Sequence, residues 1–532
     1  MDTFDFVIVG AGSAGCVIAN RLSAGGANTV LLVEAGPPDR SPWIHLPLGL
    51  QIALRDSRIE WRLPTEPEPG LGGRKVPCLR GRVLGGTSSM NGMIYIRGQP
   101  DDYDAWAAAG CIGWAWKDVL PIFLKIEGNR DLPEGPLHST RGPLPVTSPP
   151  RSSELCNALI AAARGAGFPS TSDFNGPTQD GVGYYQHTLA DGRRWSAARA
   201  FLKPERARSN LAIWTNTRTS RVLFEGRRAV GIEIERDGKV IAVKATREVI
   251  VSAGAIHSPQ LLQCSGIGDG AHLRELDVPI VQHAPQVGRN LQDHVQAQLH
   301  YTLKRPLSLN SLYHDKARIA WELLKLGAAR KGRLAQAPIR AGLFCRSAPD
   351  EKRSDLQFHL IEFSSDGMGA IPHRVPGVKL SVCVLRPRSR GEVMARSGTM
   401  QEPPKILGNF LVDDDDAART LRGMKIGRMI ARQPPLAALI EREESPSPVA
   451  DNDDAALELS MRANAVTVYH PVGTCRMGSD DDAVVDPSLR VRGVDGLRVA
   501  DASIMPQLIS GNTNAPTMMI GEKVSELILG GR

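Results

Sequence analysis

The sequence predicts a mixed α/β protein of two or more domains that opens with a strand–helix–strand unit. Three observations carry this. The chain has 532 residues, well past the size at which one hydrophobic core stops growing. An almost wholly apolar run, Phe4 to Val9, leads into Gly10-Ala-Gly-Ser-Ala-Gly15, and apolar residues at helical spacing follow from Cys16 to Ala24. A second buried-strand pattern, Thr29 to Val33, closes on Glu34, 24 positions after Gly10.

A Gly-x-Gly-x-x-Gly turn between strand and helix suits a dinucleotide. Gly10 permits the tight turn, Gly12 lets backbone approach a pyrophosphate, and Gly15 lets helix pack on strand. The helix N-terminus adds free N–H groups and a positive dipole end. Glu34 is placed to accept hydrogen bonds from ribose hydroxyls. The motif alone does not separate NAD from FAD.

Composition excludes several classes. An apolar content of 42% with 23% charged residues is that of a globular protein. The net charge of +7 has no basic block behind it, so no nucleic-acid arm is expected, while a weakly basic face suits peripheral contact with an anionic membrane. Cys16, Cys78, Cys111, Cys156, Cys264, Cys345, Cys383 and Cys475 are scattered without a Cys-x-x-Cys pair, as in reduced thiols of a cytosolic enzyme. No apolar run reaches ~18 residues, and Met1 to Gly10 lacks a basic n-region. The expected location is cytoplasmic, peripheral at most to the inner face of a membrane.

Pro37 to Gly73 reads as a long irregular excursion, with Trp43 and Trp61 as packing anchors. Gly81 to Gly98 follows, a second glycine loop with Gly85-Gly86-Thr-Ser-Ser-Met90-Asn-Gly-Met-Ile94 at its centre. Adjacent glycines, hydroxyls and an asparagine make a backbone-rich loop able to wrap phosphate or ring carbonyls. An amphipathic helix is expected from Trp116 to Glu127.

This loop resembles the signature of the glucose–methanol–choline (GMC) family of FAD-dependent oxidoreductases. Arg247 to Leu262 with Ser265 to Gly268, and His470 to Thr474 with the last sixty residues, resemble that family's other signatures. The resemblance implies a doubly wound FAD-binding domain interleaved with a substrate domain of antiparallel sheet backed by helices. Residues 1–300 would be mainly FAD-binding with substrate-domain insertions near 100–217. Residues 301–459 would be mainly substrate domain, and 460–532 would return to the FAD domain and complete the active site. It also assigns FAD contacts: Gly10, Gly12, Ser13, Ala14, Gly15, Glu34 and Ala35 in the first loop; Arg82, Val83, Gly85, Gly86, Ser88, Asn91, Gly92, Met93 and Ile94 in the second; then Val222, Ala253, Gly254, Asp501, Ala502, Asn514 and Thr517. Some members bind FAD covalently through a histidine in the second loop. Met90 stands at that position, and methionine cannot form the bond, so FAD is expected to be non-covalent.

In the middle of the chain, helices are expected at Ser153 to Arg164, Ser196 to Lys203, Arg318 to Leu326 and Arg419 to Ile430. Strands are expected at Leu211 to Asn216, Leu356 to Phe363, Lys379 to Arg386 and Gly391 to Ala395. Arg218 to Phe224 and Val230 to Ile234 alternate as a hairpin. Asp413 to Asp416 reads as a helix start rather than a metal site, and no metal is called for. His257 and His294 read as structural.

Flavin-linked alcohol oxidation needs a base at the hydroxyl proton while hydride leaves the same carbon, and histidine serves with least tuning. His470 matches the family's catalytic histidine. Asn512 falls at the position of its partner, where an amide can hydrogen-bond the alcohol oxygen, and Asn514 is assigned to flavin or loop contacts. Asp501 reads both as a flavin-proximal residue and as a helix N-cap. The resulting expectation is oxidation of a primary alcohol to an aldehyde, with hydride to flavin N5 and electrons to a quinone-like or other non-oxygen acceptor. An oxygen-reducing oxidase or a flavin-containing hydroxynitrile lyase would share the motifs.

Overall fold

The computed structural model describes residues 2–205, 207–446 and 448–530. Two seven-stranded sheets organise it. In the first, Leu211–Trp214, Val30–Val33, Thr3–Val9 and Lys239–Val251 run parallel in that order, with Leu497–Val499 parallel on the last. Arg228–Arg236 and Arg218–Glu225 extend this sheet antiparallel, as the hairpin pattern predicts. Val30–Val33, with residues 6–9 and 249–251 of the two strands that follow it in the sheet, is apolar on every residue because helices and loops cover both faces. Ser13–Ser23 packs there against the terminal helix Asn514–Gly530. The parallel strands Val30–Val33, Thr3–Val9, Lys239–Val251 and Leu497–Val499 end at Glu34, Gly10, Ser252 and Ala500, so their carboxyl ends open onto one side, where such sheets hold ligands.

The second sheet is antiparallel, in the order Ile440–Ser445, Val295–Leu303, Gly377–Val384, Leu356–Ile361, Ile339–Cys345, Gly181–Tyr184, with Val466–Thr467 joined to the second of these. Its strands alternate. Leu356, Phe358 and Leu360 pack with Met424, Ala417 and Leu159 of the helices behind, whereas His359 and Ile361 line the cavity in front. Period-two alternation therefore puts the helices on one face and the site on the other. Asp414–Ala431 is the main backing helix, with Glu154–Gly165 beside the far strands.

Some local expectations change. Trp43 is 42% exposed, so it is not the buried anchor expected. Ser196 to Lys203 forms a π-helical turn, Ala198–Leu202, followed by a short 3-10 turn, not an α-helix. Asp413 caps the next helix through the Asp415 N–H, and buried Asp416 accepts the N–H groups of Arg388 and Ser389, each at 2.8 Å. Asp413 and Asp416 are thus spent on backbone, while Asp415 pairs with Arg419 at 2.7 Å.

Candidate active site

A cavity runs from the carboxyl ends of the first sheet to the front face of the second. The two glycine loops build one end of it. Gly10 has φ +99, and a Cβ there would sit 2.5 Å from Ser252 O; a Cβ on Gly15 would sit 1.9 Å from Gly10 O. The loops also touch each other, since the Gly85 N–H donates to Ala11 O at 2.8 Å. Gly12, at the start of the helix, offers no side-chain cap, so its first N–H groups are left for a ligand. The Glu34 carboxylate accepts from Ala11 N at 3.1 Å and Gly36 N at 2.8 Å. Burial raises its pKa to about 7 against the pull of these donors and of Arg82.

At the other end Tyr469, at φ +66, turns the chain into His470. Residues 290–294 run back along 467–472: Val472 bonds Gln292, Val468 N donates to His294 O at 2.7 Å, and His470 N donates to Asp293 Oδ1 at 2.7 Å. Asp293 also accepts from Thr467, and burial lifts its pKa to about 6. This pairing brings His294 to His470, with their Nδ1 atoms 2.9 Å apart. His294 Nε2 donates to Leu385 O at 2.9 Å. Burial pushes the His294 pKa to about 4 and that of His470 well below the usual range, neighbouring His294, His359 and Arg80 adding to the latter effect.

Neutrality then sets every proton. With His294 protonated on Nε2, its Nδ1 is a bare acceptor, so His470 carries its proton on Nδ1 and donates it there. His470 Nε2 is left with its lone pair, 3.2 Å from Asn512 Nδ2. Gln357 Nε2 donates to Asn512 Oδ1 at 3.3 Å, which aims the Asn512 amide N–H at His470. A hydroxyl entering here can give its proton to Nε2 and accept from Asn512. These protons are assigned by the network, each donor meeting one acceptor.

Most of the expected positions meet at the cavity wall: Gly10, Gly12, Ser13, Ala14, Glu34, Ala35, Gly86, Asn91, Gly92, Met93, Ile94, Ala253, Gly254, His470, Asp501, Ala502, Asn512, Asn514 and Thr517. Asn512 and Asn514 face different partners, for Asn514 Oδ1 accepts from Ser13 Oγ at 2.8 Å and stands on the terminal helix. Asp501 accepts from Gly254 N at 2.8 Å, Ser258 Oγ at 2.6 Å and Ser503 N at 2.8 Å, so it joins two strand ends and caps the turn after it. Several positions stand behind the wall. Gly15 abuts Gly10, and Ser88 Oγ donates to Gly85 O at 2.5 Å, bracing the loop. Arg82 stacks over Trp61, 5.1 Å from its centroid. Val83 packs with Ile44, Ala53 and Ile59, away from the cavity. Val222 is also withdrawn: its side chain is in the core and its N–H is taken by Ser265 Oγ at 2.8 Å, while Thr217, Arg218 and Thr219 of the same segment reach the wall.

Other residues of the site escaped the sequence reading. His294 stands behind the wall and is not merely structural in position, since it touches His470. His359 lines the cavity with Nε2 unbonded among the described residues; the alternation of Leu356 to Ile361 was the signal for it. Trp61 lines the cavity stacked on His257 at 4.3 Å, with Arg82 and Arg218 over the same ring.

Family models described as GMC oxidoreductase match residues 4–296 and 387–521. The chain belongs to the GMC oxidoreductase family. It is 42% identical over 528 residues to the alcohol dehydrogenase [acceptor] of Pseudomonas putida, covering 99% of this chain and 96% of the relative. Mitochondrial choline dehydrogenase of Homo sapiens is 41% identical, with 99% and 90% covered. Among solved structures, pyridoxine 4-oxidase from Mesorbium loti superposes with a TM-score of 0.88 at 32% identity, covering 98% of each chain. Aspergillus oryzae formate oxidase, whose structure was described for its FAD modification, gives 0.93 at 25% identity, with 100% and 99% covered. The protein is accordingly an FAD-dependent oxidoreductase that oxidises an alcohol. The glycine cradle, uncapped helix start and buried acid of this GMC chain have the chemistry that FAD needs, which fits the cofactor to the cavity.

Proposed function

We propose that this GMC enzyme oxidises an uncharged, apolar primary alcohol to the aldehyde, with His470 as base and Asn512 as hydrogen-bond donor to the alcohol oxygen. The observation that carries the reading is the directed hydrogen-bond chain from Leu385 O through His294, His470 and Asn512 to Gln357. FAD, when bound, supplies the hydride acceptor. Gly10, Gly12, Ser13 and Glu34 would hold its pyrophosphate and ribose, Asn91 to Ile94 and Asp501 to Asn514 its flavin end. Met90, buried at the wall, has no N–H, O–H or S–H to lose in forming a neutral covalent link, which supports non-covalent attachment.

His470 Nε2 takes the hydroxyl proton, and the proton already on Nδ1 stays shared with His294. Asn512 fixes the oxygen without competing for its proton. The cavity wall on the side of the second sheet includes Leu50, Leu54, Ile361, Phe363 and Met368 with neutral Gln296 and His359. Among the described wall residues the only carboxylates are Glu34 and Asp501, both engaged by backbone N–H groups. A cationic alcohol would lack a counter-charge there, which supports a neutral substrate. The name of the Pseudomonas putida relative supports a non-oxygen acceptor, and eight buried, unpaired cysteines suit the cytoplasm.

The test is anaerobic mixing of FAD-loaded protein with alkanols, aryl alcohols and choline, following flavin bleaching. Neutral alcohols should reduce the flavin far faster than choline, and His470→Ala should retain flavin yet lose most of this reduction. Unimpaired reduction by His470→Ala would remove the base assignment, and peroxide formed in step with turnover in air would make the enzyme an oxidase.

A further inference from the structure

The helix Lys316–Ala329 reverses the usual distribution of a surface helix, in which the apolar stripe faces the core. Its one buried residue is an acid, Glu322, which pairs with Lys325 Nζ at 2.8 Å and accepts the Arg333 N–H at 2.5 Å. Trp321, Leu323 and Leu324 are instead 57%, 50% and 59% exposed. At ~100° per residue, Ala317, Ala320, Trp321, Leu324 and Ala328 share an arc of about 100° turned away from Glu322, and all five are exposed.

Among the described residues the unpaired exposed charges flanking this arc are basic, and the exposed acid of the neighbouring loop, Asp366, pairs with His373 at 2.9 Å. Lys316 and Arg318 are exposed on the first turn, and Arg330 and Lys331 just past the last. The helix's other acid, Asp315, is its N-cap, accepting from Arg318 N at 3.0 Å and pairing with the Arg318 side chain. A second exposed apolar pair, Ile371 and Val375, stands in a loop with exposed Arg374. That loop is tied to the segment entering the helix, because His314 Nε2 donates to Pro372 O at 2.7 Å. Arg55 clamps it from the other side, donating to Gly369 O at 2.6 Å and to Tyr313 OH at 3.4 Å. Met368 of the same loop and Leu54 beside Arg55 line the catalytic cavity. The loop that carries Ile371 and Val375 therefore also contributes to the cavity wall.

We propose that the Lys316–Ala329 helix, with Ile371 and Val375, docks on an anionic lipid bilayer and sets the active-site cavity against it. An exposed Trp/Leu face bordered by Lys and Arg is what an in-plane interfacial helix requires. No helix among the described residues is long and apolar enough to cross a membrane, so the contact is with the surface. A second copy of the chain is disfavoured as occupant, because a two-fold contact would set the same cations against themselves. The inference does not rest on which alcohol is oxidised.

The experiment is sedimentation of the FAD-loaded protein with phosphatidylcholine vesicles, pure or with roughly a third phosphatidylglycerol. The wild type should bind the anionic vesicles about tenfold or more tightly than the neutral ones, and less at high salt. Trp321→Ser with Leu324→Ser should weaken binding about tenfold, and Lys316→Glu with Lys331→Glu roughly thirtyfold, with thermal melting and turnover on a dissolved acceptor unchanged. Three results would overturn the proposal: no wild-type binding to either vesicle, binding that neither double variant weakens, or a wild-type dimer that the apolar variant dissociates while vesicles bind neither form.

Discussion

Replacing His294 tests the proton assignment at its root. In His294→Ala the Nδ1–H of His470, buried and 2.9 Å from its acceptor, loses that acceptor. An unmet buried donor costs about 1–3 kcal/mol, and the imidazole becomes free to move its proton to Nε2, the atom that must stay bare for catalysis. Taking the two together as about 2–4 kcal/mol, the flavin-reduction rate should fall roughly 30- to 1000-fold. The assay is anaerobic stopped-flow reduction of the loaded enzyme across pH, with the flavin spectrum as the control for cofactor retention. A second readout separates positioning from simple damage. Burial, His294, His359 and Arg80 hold the His470 pKa well down, so water entering the space left by His294 should raise it and move the acid limb of the profile upward. His294→Asn, whose Oδ1 can stand near the lost Nδ1, should restore much of the rate and the original limb. A His294→Ala enzyme with wild-type rate and an unmoved acid limb would refute the reasoning.

Other expectations follow from the same geometry. Asn512→Asp would place a carboxylate beside His470 Nε2, raising its pKa and removing the donor to the alcohol oxygen; kcat should drop about 10–100-fold with the acid limb shifted upward, as a pH–rate profile would show. Gly15→Ala would drive a methyl within 1.9 Å of Gly10 O, so the purified protein should carry little flavin and melt earlier, by an overpacking cost of about 1–3 kcal/mol or more. Stability should also fall on acidification. His187, His257 and His294 are held near pKa 4, and His300 and His359 near 3, by burial. A lowered histidine takes its proton first in the unfolded chain, so stability is greatest above about pH 6.5 and is lost as pH falls toward the folded value, at about 1.4 kcal/mol per pH unit for each histidine. Glu34 and Asp293, raised to about 7 and about 6, and Glu60 and Glu68, also raised by burial, slope the other way but number four against these five histidines. Denaturant melts from pH 7 to 4.5 would measure this, and His187→Gln should flatten the slope by one histidine's share.

What the sequence determined by itself is the set of local devices whose physics is written in adjacent residues. The turn at Gly10 to Gly15, the buried strands on either side and the closing Glu34 were legible because spacing and residue type are the whole requirement. His470 and Asn512 were singled out only by resemblance to the GMC signatures, since residue type and spacing alone do not distinguish them. Val222 and Val83 were assigned to the cofactor by resemblance, Val222 through its backbone; packing places the Val83 side chain among Ile44, Ala53 and Ile59 and gives the Val222 N–H to Ser265 Oγ, which position alone does not encode. Tertiary structure also decided what His470 can do. Its base lone pair exists on Nε2 because His294, 176 residues earlier, meets it across an antiparallel pairing of 290–294 with 467–472, and because burial keeps both rings neutral. No local pattern encodes a tautomer. A proton's place is set by whichever acceptor the fold brings to the other nitrogen.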